Sequence, residues 1–402
     1  MLINHPIQGY VHHDFLALAQ LFRTLLPTQH PGGAALCVYH RGEVVIDIWG
    51  GSRNLQGAAW EEDTLAMSYS TTKGILATLT HRMVDQGLLD YSDKVCRYWP
   101  EFACHGKEGI TLRHLLCHEA GLYDIRSLIP DAREMLSWQT MVQRLETATT
   151  QHAPGATWGY HALTWGWLVG EMLQRCTGTD LASLLDTYLV KDLALDGCYI
   201  GLPTDQLGRA TDLIPPPANR SHPRLWGRIL ATSRDQAMAA YMKLTGFDQA
   251  SMLAGLRPHG IGQLDFNSQQ VRQACIPAAN GMFTARSLAT VYAAMADRGR
   301  WQGKTWLHEP TWQQATLVQN RRHGQVIAIP MHWRLGYHRV FVLGRSPRDA
   351  FGHFGWGGSG AWADASLNLS LALTVNTGQG TPFGDSRLPR LNTLARRLAR
   401  QR

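Results

Sequence analysis

Ser70-Thr71-Thr72-Lys73 sets the frame in which the rest of the chain is read. A serine three residues ahead of a lysine meets it across one helical turn. Apolar periodicity begins directly afterwards, at Ile75, Leu76, Leu79 and Met83, whereas Met67-Ser68-Tyr69 carries no helix-interior signal. The spacing therefore predicts a helix with Ser70 at its N-terminus, where free N–H groups and the helix dipole favour developing negative charge. That is a suitable place for a serine that must become an alkoxide. Lys73 takes the proton if burial lowers its own pKa. In isolation the same residues describe a helix cap followed by a solvated lysine. Two facts favour the chemical reading: no other serine stands three places before a lysine, and partner motifs follow downstream.

The first partner is Pro154-Gly155-Ala156-Thr157-Trp158-Gly159-Tyr160-His161-Ala162, a Pro-Gly turn followed by aromatic residues that lead into a helix near Leu163. Tyr160, brought against Ser70, is a candidate general base or proton relay; its phenol pKa would have to fall, and a cationic Lys73 would lower it. The competing reading is a core aromatic among Trp158, Trp165 and Trp167. The second partner is Phe351-Gly352-His353-Phe354-Gly355-Trp356-Gly357-Gly358-Ser359-Gly360. Its glycines let a strand edge lie close to a substrate, and one of its N–H groups with that of Ser70 forms a candidate oxyanion hole. His353 is a candidate hydrogen-bond donor to substrate or Tyr160. Gly355, Trp356, Gly357 and Gly358, with Tyr69 and Trp158, are candidate pocket or oxyanion residues. The competing reading is a glycine-rich turn. Ser359 narrowly misses a G-x-S-x-G elbow, and a strand follows it where an elbow needs a helix.

The 402 residues are 45% hydrophobic and 17% charged, an ordinary globular composition with two to three domain-sized units. The net charge of +7 is partly concentrated in a final amphipathic helix, where Leu388, Leu391, Ala395 and Leu398 form an apolar face and the arginines are expected in water. Nothing interleaves aromatics with that charge, so nucleic-acid binding is not expected. Seven scattered cysteines without a C-x-x-C pair point to reduced thiols. No apolar run reaches membrane-spanning length and residues 1–10 lack a signal-peptide pattern, so a cytoplasmic protein without membrane partners is expected. His114, Cys117 and His118 could ligate a metal, but no H-E-x-x-H or completing carboxylate accompanies them, so a structural role is favoured. No nucleotide loop is present. Neither cofactor nor metal is expected.

Ala34 to Ile48 alternates around a turn at His40-Arg41-Gly42-Glu43 and reads as a hairpin. Gly360 to Thr377 repeats the pattern, with Leu367, Leu369, Leu371, Leu373 and Val375 on one face. Helical signals fill the middle: Gly74–Gln86, Leu112–Cys117, Thr140–Thr147, Leu163–Cys176, Leu181–Leu189 and, later, Ala285–Asp297. Ile214-Pro215-Pro216-Pro217 and Gly255 to Cys275 read as loops. Strands at both ends predict one α/β domain, residues 1–66 and 277–402, with a mainly helical domain at 67–276.

Taken in order, Ser70–Lys73, Arg113–Leu122, Pro154-Gly155 with Tyr160, Pro277-Ala278-Ala279-Asn280-Gly281-Met282-Phe283, and His353-Phe354-Gly355 with Trp356-Gly357-Gly358 resemble the serine β-lactamase-like superfamily, and within it the family VIII carboxylesterases related to class C β-lactamases. The resemblance spans roughly residues 30 to 380. It implies a β-lactamase/DD-peptidase-like fold, an antiparallel sheet flanked by helices with an inserted helical domain and the site between. It implies Ser70 as nucleophile, Lys73 as its deprotonating partner and Tyr160 as the second-motif tyrosine. Either His353 or Trp356 holds the third-motif position, and the spacing to Asp364 favours His353.

Two departures from the class C pattern matter. Ala162 stands where an asparagine amide binds the β-lactam side chain. The third motif lacks the lysine that pairs with the substrate carboxylate, and neutral histidine or tryptophan attracts an anion less. A small neutral ester, short-chain or aromatic, is therefore the expected substrate. A weak β-lactamase, an amidase or an acyltransferase are alternatives on the same scaffold. A catalytically silent binding module is the alternative of another class.

Overall fold

The computed structural model describes residues 6–215, 249–327, 329–378 and 385–402. Strands β1 (Ile7–Val11), β2 (Gly33–His40) and β3 (Glu43–Gly51) come from one end of the chain. Short strands β4 (Ala66–Met67), β5 (Cys198–Tyr199), β6 (Met282–Phe283), β7 (Arg300–Trp301) and β8 (Lys304–Thr305) are scattered through the middle. Strands β9 (His338–Arg339), β10 (Ala350–Phe354), β11 (Gly360–Asp364) and β12 (Leu369–Val375) close the set. Seven of them form one antiparallel sheet in the order β1-β3-β2-β12-β11-β10-β9, so the two ends of the chain meet at the β2–β12 pair. The β2–β3 hairpin turns through Arg41 (φ 54°) and Gly42 (φ 80°), a pair of positive angles that suits a two-residue turn between twisted strands.

Alternation along the central strands explains the layers. Ala34, Leu36 and Val38 of β2, with Leu369, Leu371, Leu373 and Val375 of β12, pack on Phe15, Leu18 and Phe22 and on Leu388, Leu391 and Ala395. These are the faces of the Leu16–Leu25 and Arg387–Gln401 helices. The opposite face carries smaller or polar groups (Ala35, Cys37, Ser370, Ala372) and receives the Ala-rich helix Ala285–Ala296. Ser370 Oγ donates to Ala289 O at 2.8 Å there. The same hydrophobic cluster continues into the helices Thr71–Asp85, Leu112–Leu116, Trp138–Thr147 and Thr164–Thr177, so the sheet and the helical region share one core. β4, β6 and β5 form a small sheet that stitches the start of the Thr71–Asp85 helix to both.

Several elements differ from the sequence expectations. The Leu16–Leu25 helix and strands β1, β9 and β10 were not legible as such. The expected loop from Gly255 to Cys275 contains the short helix Gln269–Gln273, capped by Ser268, whose Oγ accepts from Val271 N at 3.3 Å. The expected helix over 181–189 opens into a π-helical turn at Asp186–Val190. Pro216 and Pro217 lie outside the described residues. The final helix does not keep all its arginines in water: Arg387 and Arg396 are buried, paired with Asp385 and Asp364. The seven cysteines form no disulfide. Among the described residues, no helix is long and apolar enough to cross a membrane.

Candidate active site

Ser70 is the N-cap of the Thr71–Asp85 helix, yet its hydroxyl makes no capping bond. It is turned inward instead. Ser70 Oγ lies 3.1 Å from Lys73 Nζ and accepts a hydrogen bond from Tyr160 OH at 2.9 Å. Tyr69, just before it, has φ 45°, a left-handed conformation that costs a non-glycine residue energy and marks a constrained bend. The Ser68 and Gly281 backbones brace that bend, Ser68 N donating to Gly281 O at 2.9 Å. Gly281 N in turn donates to Thr72 Oγ1 at 3.0 Å.

Lys73 is fully buried, and burial holds its amine well below the ordinary lysine value. Its Nζ donates to Ala162 O at 2.7 Å and Ala278 O at 2.9 Å. Ser70 Oγ is the third polar atom around Nζ, at 3.1 Å, so a neutral amine with both hydrogens on the two carbonyls would turn its lone pair to the serine hydroxyl.

Burial pushes the Tyr160 phenol up, not down. This corrects the expectation that a cationic Lys73 would lower it: desolvation outweighs the lowering effect of the hydrogen bond to Ser70. Tyr160 is thus a neutral phenol that donates to Ser70. Its ring stacks on Trp333 at 5.7 Å and 11° and meets His118 at 4.8 Å. Neither Trp333 nor its role was legible in the sequence.

The segment carrying Tyr160 is locked by histidines. His161 N donates to His118 Nδ1 at 3.2 Å, and Leu122 N donates to His161 Nε2 at 2.9 Å. His114 closes a capping box with Thr111. These side chains thus serve the Arg113–Leu122 segment as structural parts. The Ala162 and Ala278 carbonyls gave no signal in the sequence, because backbone acceptors are independent of residue type.

His353 sits on β10, 2% exposed, its ring 6.4 Å from that of Tyr160. It does not hydrogen-bond Tyr160. Its Nδ1 lies 3.3 Å from Phe354 O, and burial holds it well below the ordinary histidine value, hence neutral. His338 stands edge-on to it at 4.7 Å. Trp158 does not line a pocket: it is fully buried, edge-on to Trp333 at 5.7 Å, with Nε1 donating to Arg322 O at 3.0 Å. It supports the plate behind Tyr160.

Gly355 to Ser359 forms a tight loop, with Gly355 N donating to Ser359 O at 2.8 Å and Gly358 N to Gly355 O at 3.3 Å. A Cβ on Gly355 would fall 2.1 Å from Ser68 O, so only glycine lets this loop lie against the Ser70 bend. Trp356 and Gly357 occupy the loop's tip, and their N–H groups, like that of Ser70, make no hydrogen bond among the described residues. Trp356 is 46% exposed. With Met67, Tyr69, Leu213, Ile214 and Val375 it lines a cavity of about 240 Å³. No charged side chain is among its described lining residues. Burial pushes the Tyr69 phenol up to about 12, so it too stays neutral. A larger hollow of about 360 Å³ lies between Leu122, Arg144 and Gln151; neither hollow has Ser70, Lys73 or Tyr160 in its described lining.

A family model for beta-lactamase matches residues 18–395. The chain belongs to the beta-lactamase family. A curated relative from Mycobacterium tuberculosis, esterase/beta-lactamase LipL, is 32% identical over 367 residues, covering 90% of this chain and 81% of that protein. A solved family VIII carboxylesterase superposes with a TM-score of 0.82 at 29% identity, covering 98% of this chain and 100% of its own. A penicillin-binding protein homologue from Caulobacter crescentus superposes equally well, TM-score 0.82 at 29% identity, with the same coverage. The beta-lactamase fold, with its antiparallel sheet and helical region, is therefore established for this chain, as is membership of a family of serine hydrolases.

Proposed function

We propose that this beta-lactamase-family hydrolase is a carboxylesterase that cleaves short-chain or aromatic esters through an acyl-enzyme on Ser70. The observation that carries the reading is Ser70 Oγ held between Lys73 Nζ at 3.1 Å and Tyr160 OH at 2.9 Å. Lys73 accepts the serine proton as Oγ attacks the ester carbonyl. The free N–H groups of Ser70 and Trp356 receive the oxyanion. The Lys73 ammonium returns the proton to the leaving alkoxide, with the Tyr160 phenol as relay. Water then resolves the acyl-enzyme by the same steps.

Two observations favour a neutral ester over a β-lactam. His353, in the position favoured for the third motif, is buried and neutral and offers a carboxylate no cation. The cavity next to the Tyr69 bend presents Tyr69, Trp356, Asn376 and aliphatic groups, with no charged side chain among its described lining residues. The carboxylesterase among the similar structures supports this reading, and the relative named as an esterase/beta-lactamase is compatible with it. The test is hydrolysis of p-nitrophenyl butyrate beside nitrocefin, with wild type and Ser70→Ala. Ester turnover that falls to background in the variant, with little nitrocefin turnover, is expected. Dominant nitrocefin turnover would move the chain to the β-lactamases, and ester turnover surviving in Ser70→Ala would overturn the nucleophile.

A further inference from the structure

The loop that presents Trp356 has a weakness. Gly357 and Gly358 both have positive φ, 100° and 101°, and two glycines in succession leave their shared peptide free to flip. One bond within the loop, Gly358 N to Gly355 O, restrains that peptide from one side at a long 3.3 Å. The other side is held from outside. Arg387, at the start of the final helix, donates through Nη2 to Gly357 O at 2.9 Å. The same guanidinium donates to Thr377 O at 2.6 Å and Thr377 Oγ1 at 3.1 Å, two residues beyond the end of β12. Its Nε lies 3.0 Å from both carboxylate oxygens of Asp385. Asp385 Oδ2 itself occupies the space 2.2 Å from where a Cβ on Gly358 would stand.

Both side chains are at least nine-tenths buried. A buried pair gains little net stability, because desolvation offsets the attraction, and apolar residues of similar size often serve a fold as well. The planar guanidinium here does something apolar packing cannot: one rigid fork fixes the chain just beyond β12, a carboxylate and the carbonyl of the loop tip together.

We propose that Arg387 and Asp385 are positioning residues for the hydrolytic reaction: they lock the Gly357–Gly358 peptide so that the Trp356 N–H stays aimed at the developing oxyanion. The pair touches no substrate. The inference rests on the esterase reading and adds to it the element that holds one oxyanion donor in place.

The test is the double variant Asp385→Asn/Arg387→Gln, which removes both charges and leaves neither buried alone. Steady-state rates on p-nitrophenyl butyrate are normalised to active sites titrated with a fluorophosphonate, so that misfolded protein does not count. The expected result is a fall in kcat of about 10- to 100-fold, the scale of a donor displaced by an ångström. KM should change by less than about threefold, since uniform binding is untouched. The acidic limb of kcat/KM should keep its midpoint, since the Lys73 environment is unchanged. An unaltered kcat per active site, a loss confined to KM, or a displaced acidic limb would each overturn the proposal. Arg387→Lys gives a second reading if the double variant does not fold: it keeps a charge beside Asp385 but not the fork, and the same kcat loss is expected. Wild-type protein without Ser70-dependent ester turnover would instead overturn the esterase reading, and this one with it.

Discussion

Lys73 is the residue on which the chemistry turns. Its two carbonyl partners, Ala162 O and Ala278 O, define the direction of its lone pair, and its burial sets its protonation state. The active form is the neutral amine, so activity is lost as pH falls through the Lys73 pKa. Because burial holds that pKa well below the ordinary value, the acidic limb of kcat/KM for an ester belongs far below about 10.4. A pH profile measures this directly, and a limb centred near the free-lysine value would contradict it. Lys73→Arg keeps a long basic side chain but is cationic at every accessible pH and cannot accept the serine proton, and a drop of about 10²- to 10⁴-fold in kcat is expected. The contact of Ser70 with Lys73 was legible from their spacing once the downstream motifs were read with it. The state of Tyr160 was not, because a phenol's pKa depends on burial and on Lys73's own charge. Trp158 misled because a tryptophan in a motif looks the same whether it lines a pocket or stands one layer behind it.

At the scale of elements, the Thr71–Asp85 helix and β10 press together with glycine as the spacer. A Cβ on Gly74 would stand 2.1 Å from Tyr292 OH and 3.2 Å from His353 Cβ. In an exposed helix Gly→Ala stabilises by about 1 kcal/mol. Here the sign should reverse: Tyr292 is a rigid, fully buried ring with no room to yield. Gly74→Ala should destabilise by about 1–3 kcal/mol, read as a fall in the urea midpoint. A raised midpoint would show that the packing gives way. The hairpin of β2 and β3 was legible because its alternation is uninterrupted and its turn residues are distinctive. Strand β10 was not, since Gly352 and His353 break the apolar pattern while neighbours on both sides supply the pairing. The Leu16–Leu25 helix escaped for a similar reason: its caps lack side-chain signals, Phe15 making no capping bond.

Across the whole molecule, burial keeps an unusual set of histidines neutral. Desolvation holds His81 and His161 at about 3 and His338 at about 4, and lowers His118 and His353 well below 6.5. In the unfolded chain the same imidazoles protonate near 6.5. Below that pH the unfolded chain binds more protons than the folded one, so stability falls as pH falls. Above it both states are neutral and the contribution is constant. Each such histidine removes up to about 1.4 kcal/mol per pH unit in the window between its folded value and 6.5. Urea midpoints should therefore drop steeply from about pH 6 to 4.5, while above about pH 7 the histidines contribute no slope and any that remains belongs to other groups such as buried Lys73. Midpoints that stay constant to pH 4.5 would show these rings to be solvated. The meeting of both chain ends in one sheet was legible from the strand signals at either end. The shared core was not, because burial across a boundary leaves no mark in local periodicity.

The central claim is that Ser70 is the nucleophile of a hydrolase, activated by Lys73 and Tyr160. The most direct measurement is to treat the protein with a fluorophosphonate and locate the adduct by peptide mass spectrometry. The account predicts one stoichiometric adduct, on Ser70, formed in step with the loss of ester turnover and absent from Lys73→Arg at neutral pH. An adduct on Ser359 or another serine, or ester turnover that survives full modification of Ser70, would contradict it.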